Sequence, residues 1–372
     1  MKKSVTCVAP INIAVVKYWG KHDEELNIPL NSSISLTLDV ENLCTQTTLT
    51  LDTSFGKDEL WLNGLQQDIS KNNRIQRCLK EARRLAEKNC RGKELSDMSC
   101  KIVSTNNFPT AAGLASSASG YACLAKCLGE IFKLEVDLSS LARLGSGSAC
   151  RSMDGGFVKW KKGVSPKGID SLAEQIVPED HWSELRCLIL VVSNKQKSVP
   201  STEGMRRSAE TSELLKLRTN SIVESRIAEM EGAIIGKKFE KFAKLTMKES
   251  NQLHAICQDT YPPITPPYMN STSHKIVKFV TQYNEPEIKA AYTFDAGSNA
   301  VLFTLEKNMK ELLSTLMKYF SVEKKDIVSS CKLDLSINES IDVKDVNISE
   351  RCLEQVIVTK GGKGATVISN AS

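Results

Sequence analysis

The sequence predicts an α+β protein folded in two halves, and three patterns predict it. Short strand-like runs alternate with turn chemistry through the first third of the chain. An apolar run at 185–192 is long enough for a buried central strand and opens a second half. From 201 to 252 the apolar spacing is helical almost throughout, with a break near Gly236. Mixed runs of this kind place helices on sheets in layers rather than in a bundle. The 372 residues accommodate one large domain or two moderate ones, and no internal repeat or low-complexity tract is present. The expected division is 1–184 and 185–372.

Taken in order, residues 34–38 carry apolar side chains at every second position, the period of a half-buried strand. Residues 45–51 are rich in Thr and Leu, and Leu60-Trp61-Leu62 runs into Asn63-Gly64, a hairpin pair. Between about 72 and 90, Ile75, Leu79, Ala82 and Leu85 recur three or four apart among charges, which predicts a surface helix. A strand at 100–104 leads into a Gly/Ala/Ser loop, followed by helices at about 116–132 and 137–144. A small-residue break is expected at 145–151, and a strand at 157–160. The Pro-rich stretch 261–268 reads as a rigid extended connector. A helix at about 271–283, two strands flanking 295–299 and a helix at about 307–319 complete the second half. Residues 321–349 are polar and poorly periodic and carry no assignment.

Composition narrows the function classes. Lys and Arg number 49 against 44 Asp and Glu, a formal +5 that is spread along the chain and suits anionic metabolites better than nucleic acid. The twelve cysteines form no C-x-x-C pair and no Cys/His cluster at zinc spacing, so no metal site is expected. Cys123 and Cys127, four apart on a helix, read as small core residues. The first ten residues hold no apolar run adequate for a signal peptide, and no window approaches a membrane span. A reducing, cytoplasmic setting is expected, where Asn31 and Asn270 carry no meaning for glycosylation. The end Asn370-Ala371-Ser372 is not a peroxisomal address.

The chemistry concentrates in four segments. Asn107-Phe108-Pro109-Thr110-Ala111-Ala112-Gly113-Leu114-Ala115-Ser116-Ser117 has the makings of an anion cradle. Its tiny side chains admit backbone N–H groups to a phosphate, and the helix after it adds unpaired donors. It is neither a P-loop nor GxGxxG, and the same residues fit a helix start that merely packs closely. Lys17-Tyr18-Trp19-Gly20-Lys21 sets two lysines four apart, able to meet one anionic group, with a phenol beside them. A solvated basic loop is the plainer alternative, weakened by Trp19 and the apolar residues 11–16. The segment from Gly145 to Ser152 offers hydroxyls and Arg151, whose planar fork suits a carboxylate or phosphate, or it is a glycine loop ending a helix. Asp295, after the apolar run 290–294, is a carboxylate expected to be desolvated and able to take a hydroxyl proton, or the start of a turn. Ser201-Thr202 after Pro200 reads as a helix cap or an anion donor. His22, His181, His254 and His274 are scattered, and no nucleophilic triad is expected.

The run from Pro109 to Ala118 resembles the ATP phosphate-binding motif of the galactokinase, homoserine kinase, mevalonate kinase and phosphomevalonate kinase superfamily. With Asn12 to Lys21, Asn106 to Ser117, Gly145 to Ser152 and Tyr292 to Gly297, the chain is similar to mevalonate diphosphate decarboxylases of the eukaryotic type. The likeness runs from about residue 5 to 305. It implies a GHMP-kinase-like fold with a ribosomal-protein-like N-terminal half, a ferredoxin-like α/β C-terminal half and an active site in the cleft between them. It implies ATP-dependent decarboxylation of mevalonate 5-diphosphate to isopentenyl diphosphate, with ADP, phosphate and CO2 released, in isoprenoid and sterol biosynthesis. ATP and Mg²⁺ are the implied cofactors and a homodimer the implied assembly.

Residue by residue, the resemblance makes Asp295 the essential acid/base group and Arg151 the partner of the substrate carboxylate. Lys17, Tyr18, Lys21, Arg74, Ser148 and Ser201 correspond to substrate or phosphate contacts. Asn12, Asn107, Pro109, Gly113, Ala115, Ser116 and Ser117 correspond to the ATP site, with adenine expected near 61–74 and 99–107. Ser298 stands where many relatives carry proline, the prolines at 266 and 267 are local to this sequence, and no family motif falls beyond about 320. A related kinase that stops at phosphorylation would share the Gly/Ala/Ser loop, but the segments around Lys17 and Arg151 fit the decarboxylase better. An RNA-binding or scaffold role lacks a basic stripe interleaved with aromatics.

Overall fold

The computed structural model describes residues 1–88, 93–108, 116–193, 197–331, 340–343 and 351–371. Its first sheet has six strands in the order Thr366–Ala371, Lys2–Pro10, Cys44–Asp52, Cys100–Asn106, Glu59–Leu62 and Leu65–Gln67. Val5, Cys7, Ala9, Leu49 and Leu51 alternate along their strands onto one buried face. The helix Ser116–Ile131 lies on that face, and its small Ala118, Ala122, Cys123 and Cys127 let it sit close. Cys123 Sγ donates to the Cys7 carbonyl at 3.1 Å. Asn63 and Gly64 both take positive φ, 49° and 79°, as the two-residue hairpin turn requires.

A four-stranded sheet, Ala173–Val177, Phe157–Trp160, Ser33–Thr37 and Asn12–Val16, and a five-stranded sheet face a common core. The second of these runs Ala290–Phe294, Ala300–Leu305, Leu185–Val191, Gln355–Thr359 and Ile327–Ser329. Leu185–Val191 is central. Cys187, Ile189 and Val191 pack into the common core, and Leu188 and Leu190 into the core beneath the helices Ser271–Tyr283 and Glu306–Phe320. Burial on both faces is why that run is apolar without alternation. The helices Val223–Ile235 and Phe239–Asp259 share the common core, where Phe242 meets Phe157, Trp182 and Phe303 with ring centroids 5.8, 5.3 and 5.4 Å away.

Several expectations need revision. Residues 145–151 do break the helix, at the extended Ser146 (φ −153°, ψ 128°), but they are not an irregular loop: a 3-10 turn, Gly147–Ser152, follows at once, because small side chains let the backbone wind tightly. Residues 261–268 are not an extended rod. The segment bends back so that Ile264 N–H donates to Cys257 O at 3.3 Å and Ile264 and Tyr268 are buried. Ser201 is the first helical residue after Pro200, and its hydroxyl does not cap the helix. The tail is structural: Gln355–Thr359 completes the five-stranded sheet, and Thr366–Ala371 returns to the first sheet beside Lys2–Pro10. Residues 185–372 therefore do not close on themselves.

Truncating Phe242 to Ala removes the ring that joins both sheets and is expected to cost about 3–5 kcal/mol. Urea unfolding followed by circular dichroism measures it, and a loss under about 1 kcal/mol would show that the halves do not depend on this contact.

Candidate active site

A cleft of about 570 Å³ opens between the two halves, and among the described residues five cationic ones line it, Lys17, Lys21, Arg74, Arg151 and Lys197. Asp295 is the single carboxylate lining it among the described residues. That ratio defines what the cleft accepts: a strongly anionic guest.

The Gly147–Ser152 turn sets Arg151. A side chain at Gly147 would meet the Trp160 ring at 2.7 Å and the Tyr18 hydroxyl at 2.9 Å, so only glycine admits the turn here. Arg151 is buried, with Nε donating to Ser35 Oγ at 2.8 Å and Nη1 to Ser33 Oγ at 2.7 Å. These serines are two apart on one strand and so share a face. The guanidinium also lies 5.8 Å from the Trp160 ring centroid. Burial pulls its pKa down, and no carboxylate side chain is bonded to it. It is a cation held by neutral partners, with Nη2 left for a ligand. Tyr18 packs edge-on to Trp160 at 4.7 Å, and its buried hydroxyl has no partner.

Lys17 follows the strand Asn12–Val16 and is 2% exposed, with Nζ on Asp295 Oδ1 at 2.6 Å. Asp295 follows the edge strand Ala290–Phe294. It is not desolvated as expected: the strand is buried, but the side chain one residue beyond it is 37% exposed and faces the cleft. Lys17 and Lys21 thus divide their work. Lys17 serves Asp295, while Lys21 stands near Arg74 and Arg77, and burial together with those charges lowers its pKa to about 8. Arg74 reaches from the helix Asn73–Glu87 to Thr202 Oγ1 at 2.8 Å, spanning the cleft.

Other expected residues take different places. Ser148 and Ser201 line the cleft, and Ser201 Oγ accepts from Lys197 Nζ at 2.8 Å. Asn12 also lines it but spends its amide N–H groups on Ser148 O and Ser152 Oγ, at 3.0 and 2.8 Å, bracing the Arg151 turn. Asn107 does not reach the cleft. Its side chain accepts from Cys44 N–H at 2.8 Å and donates to Glu41 O at 3.4 Å, tying down a strand end. Ser116 and Ser117 open the helix Ser116–Ile131 at the cleft, with Ser117 Oγ 3.2 Å from Ser146 Oγ. Pro109, Gly113 and Ala115 lie outside the described residues. Beyond the two serines is a recess of about 190 Å³, with Leu60, Leu62, Ile75, Ile102 and Leu124 in its walls and Asn63, Asn72, Ser104 and Asn106 at its polar positions.

Sequence reasoning missed Lys197, Ser33, Ser35, Arg218 and Glu249. Lys197 Nζ also donates to Ala296 O at 2.7 Å, and burial lowers its pKa. Glu249 had a readable signal: it interrupts the apolar stripe Phe242, Leu245, Leu253 and Ile256 of the helix Phe239–Asp259. His254, half-buried on the same helix, has a buried and unpartnered Nε2. Burial, then the nearby Lys17 charge, lowers its pKa to about 4, so it is neutral at pH 7. Among the described residues no group of three or more His, Cys, Asp or Glu could hold a metal ion.

Comparison with known proteins agrees with this geometry. Residues 9–173 match the diphosphomevalonate decarboxylase-like N-terminal domain, and residues 187–368 the mevalonate 5-diphosphate decarboxylase C-terminal domain. A diphosphomevalonate decarboxylase of Danio rerio is 50% identical, covering 98% of this chain and 93% of its own. The mevalonate diphosphate decarboxylase from Trypanosoma brucei superposes with a TM-score of 0.92 at 38% identity, over 98% of each chain. A structure of MDDEF in complex with MVAPP, AMPPCP and magnesium superposes with a TM-score of 0.79 at 32% identity, over 99% of this chain and 100% of that one.

His254 makes stability depend on pH. Its folded pKa lies below the ordinary value of 6.5, so the unfolded chain binds the proton first, and stability present above about 6.5 is lost as pH falls towards about 4. Its share is on the order of 3 kcal/mol. His254→Gln should flatten the pH dependence of urea midpoints between pH 6.5 and 4; an unchanged slope would assign the acid sensitivity elsewhere.

Proposed function

This chain belongs to the diphosphomevalonate decarboxylase family and catalyses the ATP-dependent decarboxylation of mevalonate 5-diphosphate, and we propose that Asp295 activates the substrate's 3-hydroxyl for it. One observation carries that role: among the described residues five cations and a single carboxylate line one cleft, and the carboxylate is the one paired with a buried lysine.

A tertiary alcohol is a poor nucleophile, so a positioned base matters. Asp295 takes the hydroxyl proton as the oxygen bonds the γ-phosphorus of ATP and ADP departs. The C3–O bond then breaks with its electron pair, releasing phosphate and leaving positive character on C3. The bond to the carboxylate carbon supplies the electrons for the new double bond, CO2 leaves, and isopentenyl diphosphate results. Arg151, immobilised by Ser33 and Ser35, orients the departing carboxylate through its free Nη2 edge. Lys21, Arg74 and the Tyr18 hydroxyl line the cleft and suit the diphosphate, and Lys197 with the Ser116–Ser117 helix start suits the phosphates of ATP. The recess between Leu62, Ile102 and Tyr121 suits the adenine. Mg²⁺ fits as a partner of the nucleotide phosphates, neutralising their charge when bound. Excluding water around C3 favours loss of CO2 over capture by solvent. The reading includes a cytoplasmic homodimer, supported by the resemblance. Among the described residues no helix is long and apolar enough to cross a membrane.

Incubation with ATP, Mg²⁺ and mevalonate 5-diphosphate should release ADP and CO2 in equal amounts; ADP without CO2 would mean a kinase. Asp295→Asn should lower kcat by about 10²–10⁴, and an unchanged kcat in a folded variant would remove Asp295 from the chemistry. The Lys21 charge is lost as pH rises through about 8, so kcat/KM for the diphosphate should fall above that pH. Lys21→Arg should move that fall to higher pH, and a profile identical to wild type would place the titrating group elsewhere.

A further inference from the structure

The most thoroughly bonded buried ion pair in the described residues touches no part of the cleft surface. Glu249, fully buried, accepts from Arg218 at both carboxylate oxygens, at 2.8 and 2.7 Å, and from Arg226 Nη1 at 2.8 Å. Its remaining partner is the backbone N–H of Lys17, which donates to Oε2 at 2.8 Å. Arg218 in turn donates from Nη2 to the Lys17 carbonyl at 3.1 Å. The same carbonyl accepts from Asn31 Nδ2 at 3.0 Å. Both backbone groups of one residue are therefore held by a single buried pair. Arg218 opens a π-helical turn, Arg218–Ile222, a wide winding often kept where a side chain must be aimed.

The residue after Glu249 holds the other side of the reaction centre. Ser250 Oγ accepts from the backbone N–H of Phe294 at 2.9 Å, and Phe294 immediately precedes Asp295. Consecutive residues of one helix thus grip the backbone at Lys17 and the backbone next to Asp295.

We propose that the Arg218–Glu249 pair positions Lys17 against Asp295, so that the buried pair serves turnover and not only the fold. This rests on the reading that Lys17 and Asp295 take part in the reaction. Removing one member of a buried pair leaves an uncompensated charge and disturbs packing for purely structural reasons. The test must therefore separate a displaced lysine from a loosened core.

Arg218→Lys keeps a cation beside Glu249 but cannot reproduce the planar fork that reaches both Glu249 and the Lys17 carbonyl. Glu249→Gln is the second variant, and both are made in the wild-type and Lys17→Met backgrounds. CO2 release gives kcat, and thermal melting confirms folding. Arg226→Met, which touches Glu249 but not Lys17, is the control for loss of buried charge. In the wild-type background kcat should fall about tenfold or more, since displacement by an ångström is enough for such losses. In the Lys17→Met background the same substitutions should change kcat less than about twofold, because the group they position is gone. Arg226→Met should stay within about twofold of wild type. Equal losses in both backgrounds, no loss in either, or a comparable loss in Arg226→Met would overturn the positioning role. A wild-type kcat in Lys17→Met alone would instead overturn the assignment of Lys17, and the clamp with it.

Discussion

Positive charge kept out of water is the constraint around which this molecule is arranged. Lys17 and Arg151 are each 2% exposed, and a buried cation is tolerated only when its hydrogen bonds and charge are answered. The two are answered differently. Lys17 meets a carboxylate, Asp295, across the cleft. Arg151 meets two serine hydroxyls and an indole face, partners that satisfy its donors without neutralising it. An arginine held in that way keeps its attraction for an incoming carboxylate, whereas a salt bridge would have consumed it.

The secondary structure around the cleft follows from those needs. The 3-10 turn puts Arg151 over the strand Ser33–Thr37, the glycine at 147 lets Tyr18 and Trp160 close on it, and the Asn12 amide braces its backbone. On the opposite side, the helix Phe239–Asp259 turns an apolar stripe towards both sheets and interrupts it with the charged Glu249. A fully buried carboxylate is stable there because two arginines and a backbone N–H surround it. The helix therefore serves packing and alignment together. Arg74, bonding Thr202 across the opening, adds a polar tie between the halves that a phosphate could replace.

Much of this was legible in the chain. Alternation at 34–38, the Asn63-Gly64 turn and the spacing of Ile75, Leu79 and Ala82 report local backbone preference, and local preference is what single-residue patterns encode. The run at 185–192 was readable as a central strand because burial on both faces leaves no polar position. Residues 321–349 and the last two strands were not readable. Gln355–Thr359 and Thr366–Ala371 are specified by the strands they join, which lie far away in sequence. The bend at 261–268 escaped for a related reason, since prolines restrict the backbone without saying which way a buried Ile264 will pull it.

By itself the sequence determined the reactive groups: a small-residue loop ending in two serines, lysines four apart, an arginine among serines and an aspartate after an apolar run. Covalent identity decides which groups can carry charge, donate hydrogen bonds or accept a proton, so those groups are written in the chain. Only the tertiary structure decided their state. It separated Lys17 from Lys21, giving one to Asp295 and lowering the pKa of the other to about 8. It withdrew Asn107 from the cleft, brought Lys197 into it, and set Arg218 beneath it on Glu249, the first and last from positions where no local pattern announces a role. Charge state and alignment depend on burial and on partners up to 278 residues away, as between Lys17 and Asp295. Those are properties of the packed chain alone.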